Sequence, residues 1–304
     1  MNAVFVFPGQ GSQHPQMFSR VPESDDLPRL LDAAEALTGL DLNRLTSNAM
    51  LSDLTDTRVA QPLLYLCDWA WGRALIDVGL EPVALAGHSL GELAALAVAE
   101  VYSVEAGLEL VCARSKMMAE ATESVPGTMA AVLGLDLQAA TSALADLSDV
   151  WVANDNAPGQ VVISGTVDGV ARARPALEAA GARRVLALDV SGPFHTPLMK
   201  TAALEFSVLL NAAEFRTARF PVIQNTRPTP ATDADVIREA LKAQMAGVVR
   251  WTESMTQMRS YDPVTLIEAG PGSVLSGLAR KVDKITAVSV EHVQLETIVE
   301  EVMR

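Results

Sequence analysis

Short apolar runs alternate along the chain with longer stretches of helical period, and glycine or proline marks most of the changes. Residues 3–7 form the first run, closed by Pro8 and a glycine-rich loop. A helix is expected over 27–37, with Asp25 and Asp26 ahead of it and Pro28 just inside. A long, largely apolar helix follows over 59–78, with Pro62 in its opening turn. Residues 83–86 read as a buried strand and 92–100 as a helix. A further helix is expected over 103–122, on which Leu110, Val111, Arg114, Met117 and Met118 share one face.

The rhythm then changes. Strands are expected at 128–133, 150–154, 160–164 and 184–190, with helices at 137–147 and 167–180. That order, β-α-β-β-α-β, is the ferredoxin-like one, and its close ends allow insertion into a larger unit. Pro126-Gly127 and Ser191-Gly192-Pro193 punctuate its junctions, which bounds a small domain at 126–191. Beyond it, a helix is expected from Phe194 to about residue 213, strands at 220–224 and 264–268, and a helix over 233–245. A turn at 269–275 leads into another helix, and the tail from 285 reads as a short strand and a charged helix. Strands alternating with helices indicate an α/β fold with a mostly parallel sheet covered on both faces.

Composition narrows the class. With 304 residues, 49% hydrophobic and 20% charged, the chain can bury one large core. A formal charge of −14 argues against a nucleic-acid binder, which needs a basic stripe. No apolar run approaches the ~18 residues of a membrane span, and the N-terminal run lacks the basic flank of a signal peptide. Cys67 and Cys112 have no metal or redox spacing, so a reducing, cytoplasmic setting is expected.

One stretch carries chemistry. Gly87-His88-Ser89-Leu90-Gly91 joins the 83–86 strand to the following helix and matches the G-x-S-x-G elbow. A serine on so sharp a turn has a crowded backbone, so its neighbours two before and two after must lack side chains. Its hydroxyl then projects at a helix N-terminus, where N–H groups favour developing negative charge. Ser89 is the candidate nucleophile. The Gly9-Gln10-Gly11 loop lacks the third glycine of a dinucleotide fingerprint, His14 standing there, and has no phosphate-loop lysine.

Among the four histidines, His88 is a poor base because adjacent residues on a tight turn point apart; packing beneath the elbow suits it better. Nothing selects His14 or His292. His195 lies between Pro193 and Pro197, which restrict its backbone, so it is the candidate base. Arg114 has two readings. It either snorkels off the edge of its apolar stripe or enters a pocket and pairs with an anion, for which its fork suits a carboxylate.

Five segments together resemble the malonyl-CoA:acyl carrier protein transacylase family, in that family's order. They are Phe7-Pro8-Gly9-Gln10-Gly11-Ser12-Gln13, the elbow through Glu92, Asn154-Asp155-Asn156-Ala157-Pro158-Gly159-Gln160, His195 with Pro197-Leu198-Met199, and Glu268-Ala269-Gly270-Pro271-Gly272. The resemblance implies an α/β-hydrolase-like large domain (1–125 and 192–304) with an inserted ferredoxin-like one (126–191). It implies transfer of malonyl from coenzyme A to the phosphopantetheine thiol of an acyl carrier protein, in fatty-acid or polyketide synthesis, with no bound cofactor or metal.

By position, the resemblance makes Ser89 the nucleophile and His195 its base, oriented by a backbone carbonyl near Gln244. It makes the N–H groups of Gln10 and Leu90 the oxyanion hole, Arg114 the partner of the malonyl carboxylate, and Gln61 a polar pocket residue. Phe194 stands where stand-alone fatty-acid enzymes often have serine and malonyl-specific polyketide enzymes often have phenylalanine. Carrier proteins are acidic, so Arg280 and Lys281, after the 269–275 turn, are the candidate docking charges. Residues 152–156 also resemble the malonyltransferase subunit of malonate decarboxylase. A serine thioesterase or other hydrolase would share Ser89 and His195, but gains nothing from a buried Arg114, and usually has an acid for its histidine.

Overall fold

The computed structural model describes residues 2–190 and 192–303; Met1, Ser191 of the expected second junction and Arg304 of the expected last helix lie outside them. Among the described residues, ten strands form two sheets: β1 Asn2–Phe7, β2 Ala84–Gly87, β3 Gly127–Leu133, β4 Val150–Ala157, β5 Gln160–Thr166, β6 Arg184–Ala187, β7 Val222–Ile223, β8 Val249–Arg250, β9 Val264–Glu268 and β10 Ile285–Ser289.

The large sheet runs β10-β9-β1-β2-β7, and all its pairings are parallel. Its central strands β1 and β2 read as nearly unbroken apolar runs because helices cover both faces. Phe5, Phe7 and Leu85 face a core built with the helices Thr57–Asp77, Leu90–Val98 and Val104–Ser124. Val4, Val6, Ala84 and Ala86 face a second core with Trp251, Met255 and Leu278. The fold is α/β, as the alternation of runs implies.

The register decides where chemistry can sit. Phe7 pairs with Gly87 across β1 and β2, and Val6 pairs with Glu268 across β1 and β9. Three loops therefore leave the carboxyl ends of adjacent strands at one level: 8–13, the elbow at 88–89, and 269–273. Clefts open at such ends in parallel sheets.

The second sheet runs β6-β3-β5-β4-β8. β3 to β6 pair antiparallel, with the helices Leu137–Ala143 and Val167–Ala179 packed on their own small core. β8 adds to β4 in parallel, so two residues from outside 126–191 complete this sheet. β4 runs on to Ala157, past the expected 154, with register shifts at Val152/Asn154 and Asp155/Ala157. Bulges of this kind re-aim side chains.

Some local readings change. The helix expected at 59–78 is Thr57–Asp77, capped by the Asp56 carboxylate, so Pro62 lies in its second turn rather than its first. That helix is buried nearly all round, and tertiary packing outweighs the hydrogen bond the proline removes. Residues 194–196 do not open a helix. Thr196 instead caps a short 3-10 turn, Pro197–Met199, and Lys200–Ala212 follows as the helix. The strand expected at 220–224 is reduced to β7, Val222–Ile223. Trp251–Arg259, not anticipated from the pattern, is helical.

Candidate active site

The elbow is shaped by contacts that leave no room for side chains. A Cβ on Gly87 would lie 1.9 Å from the Gly91 carbonyl carbon, and one on Gly91 would lie 2.0 Å from the Phe7 carbonyl oxygen. Both glycines are required by close approach of backbone. Ser89, between them, has φ 52° and ψ −105°, a costly conformation for a residue with a Cβ. Two side chains hold it there. The Ser89 N–H donates to Asn225 Oδ1 at 2.7 Å, and the Ser89 carbonyl accepts from Gln244 Nε2 at 2.7 Å. Asn225 Nδ2 also donates to the Gly87 carbonyl, so one amide grips both sides of the turn.

Ser89 Oγ lies 2.7 Å from His195 Nε2. His195 Nδ1 lies 2.9 Å from the Gln244 backbone oxygen, which only accepts, so Nδ1 carries the proton and Nε2 keeps its lone pair for the serine. His195 itself has φ 59°. Thr196 Oγ1 donates to the Pro193 carbonyl at 2.7 Å and fastens that strained corner. Burial, with the Arg114 charge adding to it, pushes His195 down to about 3, so the ring is a neutral base at ordinary pH.

Arg114 does not snorkel. It is fully buried beneath the serine, and each hydrogen-bond partner is neutral. Nη1 donates to Gln61 Oε1 at 2.6 Å, and Nη2 donates to Gln244 Oε1 at 2.9 Å and to Ser89 Oγ at 3.1 Å. Among the described residues Nε has no partner. Burial lowers this guanidinium to about 10, which still leaves it charged, and the buried Glu92 offsets part of the cost through space. Arg114 is thus a desolvated cation held by two amides and the serine hydroxyl, with no carboxylate among these hydrogen-bond partners.

Gln61 also donates from Nε2 to Thr57 Oγ1 at 2.6 Å, and Thr57 donates in turn to Gln10 Oε1 at 2.9 Å. A Cβ on Gly9 would sit 2.4 Å from the His88 carbonyl oxygen, so the 8–10 backbone lies against the turn. Leu90 begins the elbow helix, in which the Gly91 N–H donates to the His88 carbonyl at 3.0 Å and the Glu92 N–H to the Ser89 carbonyl at 3.2 Å.

Above Ser89 is a cavity of about 140 Å³. Gln10, His88, Asn154 and Asn156 form its polar side, and Met118, Met129 and Phe194 part of its apolar side. His88 is not tucked beneath the elbow. It faces this cavity, with Nε2 2.9 Å from Asn156 Oδ1 and its ring edge-on to Trp251 at 5.5 Å. Phe194 is 5% exposed, and its ring is pinned so closely that a Cβ on Gly192 would lie 2.9 Å from it. Leu275 and Leu278 of the helix Val274–Ala279 line the same cavity, and Arg280 and Lys281 follow that helix, both exposed. Lys281 Nζ donates to Gln160 Oε1 across the cleft.

His14 stands apart, 3.3 Å from Glu291, and His292 lies in a surface turn. The roles of Glu92 and Asn225 were not read from the sequence. Glu92 is a lone acid in the apolar elbow helix, a visible oddity; Asn225 follows a strand too short to mark it.

A model of the acyl transferase domain matches residues 4–303. Malonyl CoA-acyl carrier protein transacylase of Escherichia coli K12 is 40% identical over 294 residues, covering 95% of each chain. The chain belongs to the malonyl CoA-acyl carrier protein transacylase family. A polyketide biosynthesis malonyl CoA-acyl carrier protein transacylase of Bacillus subtilis is 37% identical, covering 92% of this chain and 96% of that one. An acyl carrier protein S-malonyltransferase from Vibrio cholerae superposes with a TM-score of 0.90 at 39% identity, over 98% of this chain and all (100%) of that one. A malonyl-transacylase solved with its type II polyketide acyl-carrier protein gives 0.91 at 37% identity, over 99% and 100%. Members of this family thus share the fold. Among the described residues no helix is long and apolar enough to cross a membrane, and Cys67 and Cys112 are free and buried.

Proposed function

We propose that this protein transfers malonyl from malonyl-CoA to the phosphopantetheine thiol of an acyl carrier protein, in two half-reactions through an acyl-serine. The observation that carries this reading is Arg114, a fully buried cation with neutral partners, 3.1 Å from the Ser89 hydroxyl. Hydrolysis of a neutral ester has no use for such a charge. The free carboxylate of a malonyl thioester does.

In the first half-reaction Ser89 Oγ attacks the thioester carbonyl while its proton passes to His195 Nε2. The N–H groups of Gln10 and Leu90 receive the oxyanion. The intermediate collapses, the C–S bond breaks, and the departing sulfur takes the proton from His195. The carrier thiol then enters, gives its proton to His195, and attacks the acyl-serine; return of the proton to Ser89 Oγ completes the cycle. Malonyl binding also helps the base. The Arg114 charge disfavours an imidazolium at His195, and a carboxylate on that guanidinium cancels part of the effect.

The scheme needs no resident cofactor or metal; coenzyme A enters as substrate. In this reading 1–125 with 192–304 carry the chemistry, and 126–191 is an inserted subdomain supplying the opposite wall. Arg280 and Lys281 receive the acidic carrier. A cytoplasmic setting suits the two unpaired thiols.

Labelled malonyl-CoA tests the reading. A stable label should appear on the peptide containing Ser89, persist in water and discharge to a carrier thiol. Ser89→Ala should fold and take no label. Prompt release of free malonate would instead indicate a hydrolase.

A further inference from the structure

Glu92 is fully buried in the first turn of the elbow helix and touches no substrate-lining surface. Its Oε2 accepts from the Asn225 N–H at 3.0 Å and from Gln244 Nε2 at 3.1 Å, and its Oε1 accepts from Gln224 Nε2 at 3.2 Å. Each of these donors except Gln224 belongs to a residue that holds the reactive groups. Asn225 fixes the Ser89 turn. Gln244 does more: its backbone oxygen orients His195, its Nε2 bonds the Ser89 carbonyl, and its Oε1 accepts from Arg114.

The Gln244 amide therefore lies between two buried opposite charges. The Glu92 carboxylate attracts its N–H₂ end, and the Arg114 guanidinium attracts its oxygen. Turned the other way, the amide would set donor against donor at Arg114 and acceptor against acceptor at Glu92. Each charge fixes the amide for the other.

We propose that Glu92 is a positioning residue for acyl selection: through the side-chain amide of Gln244 it sets the Arg114 guanidinium that receives the substrate carboxylate. The inference rests on the transacylase reading above. A merely structural Glu92 would affect all acyl groups alike. A positioning Glu92 acts more on a substrate with a carboxylate than on one without.

The test compares malonyl-CoA and acetyl-CoA as donors, by kcat/KM for acylation of Ser89. Glu92→Gln presents donors where three donors already converge. Gln244→Met keeps the backbone carbonyl that His195 uses and removes only the amide. Both variants should lower the malonyl-to-acetyl ratio by roughly tenfold to a hundredfold, as expected for loss of a charge-assisted, geometry-setting hydrogen bond. In an Arg114→Ala background neither should lower it further. If Glu92→Gln does not fold, by circular dichroism and melting, Gln244→Met carries the test. An unchanged ratio in a folded variant, or an equal further fall without Arg114, overturns the proposal. Failure of the native protein to be malonylated at all would overturn the transacylase reading itself.

Discussion

The imidazole of His195 is oriented by a backbone carbonyl, with Nδ1 2.9 Å from the oxygen of Gln244, and no carboxylate takes that place. A carbonyl fixes the tautomer as an acid would, but it adds no charge to stabilise an imidazolium. Burial and the neighbouring Arg114 both work against protonation.

That has a pH consequence. The folded-state pKa of His195 is pushed down to about 3, whereas an unfolded chain's histidine titrates near about 6.5. Between those values the unfolded state holds a proton that the folded state does not. This contribution to stability is thus intact above about 6.5 and is lost as pH falls towards the folded value. Over that window Tm should drop more for the native protein than for His195→Gln, and kcat/KM for acylation should show no inflection near about 6.5. Parallel melting curves would contradict the assignment.

Arg114 should select by charge. Arg114→Ala should cost malonyl transfer about 2–5 kcal/mol. Acetyl-CoA leaves the native guanidinium without a carboxylate, so it loses less and the malonyl-to-acetyl ratio falls. Initial rates with both donors decide; an equal loss for both would make Arg114 a packing residue.

Phe194 should select by size. Its pinned ring forms part of the cavity wall beside His195. A methyl on the acyl α-carbon would overpack that wall at about 1–3 kcal/mol. Phe194→Ser should raise methylmalonyl transfer relative to malonyl by roughly tenfold to a hundredfold. A melting curve run alongside separates this from simple destabilisation, which would leave the ratio alone.

Arg280 and Lys281 are exposed and follow the helix that carries Leu275 and Leu278 of the cavity wall. Reversing both to glutamate should raise KM for the carrier about tenfold at low salt, and less at high salt, because exposed charges are screened. Acylation by malonyl-CoA should be unchanged. A carrier KM that does not move would put the docking surface elsewhere.

Much of the architecture was legible because its causes are local. Apolar runs separated by helical period gave the α/β order, and Gly87 and Gly91 marked a turn whose crowding forbids a Cβ. The prolines around residue 195 marked a constrained backbone. The two-residue strands β7 and β8 were beyond reach, since two residues carry no period, and β8 exists only because β4 offers it an edge. Arg114 could not be resolved from its stripe: the same spacing serves a guanidinium that escapes to water and one sealed beneath a serine. Only packing of the 104–124 helix against the 57–77 helix, which brings Gln61 to it, decided the matter. The partners of Glu92 lie 132, 133 and 152 residues away in sequence, and a carbonyl such as that of Gln244 is the same on every residue. Side-chain type and spacing reveal what a residue can do; the long-range fold determines which neighbour it meets.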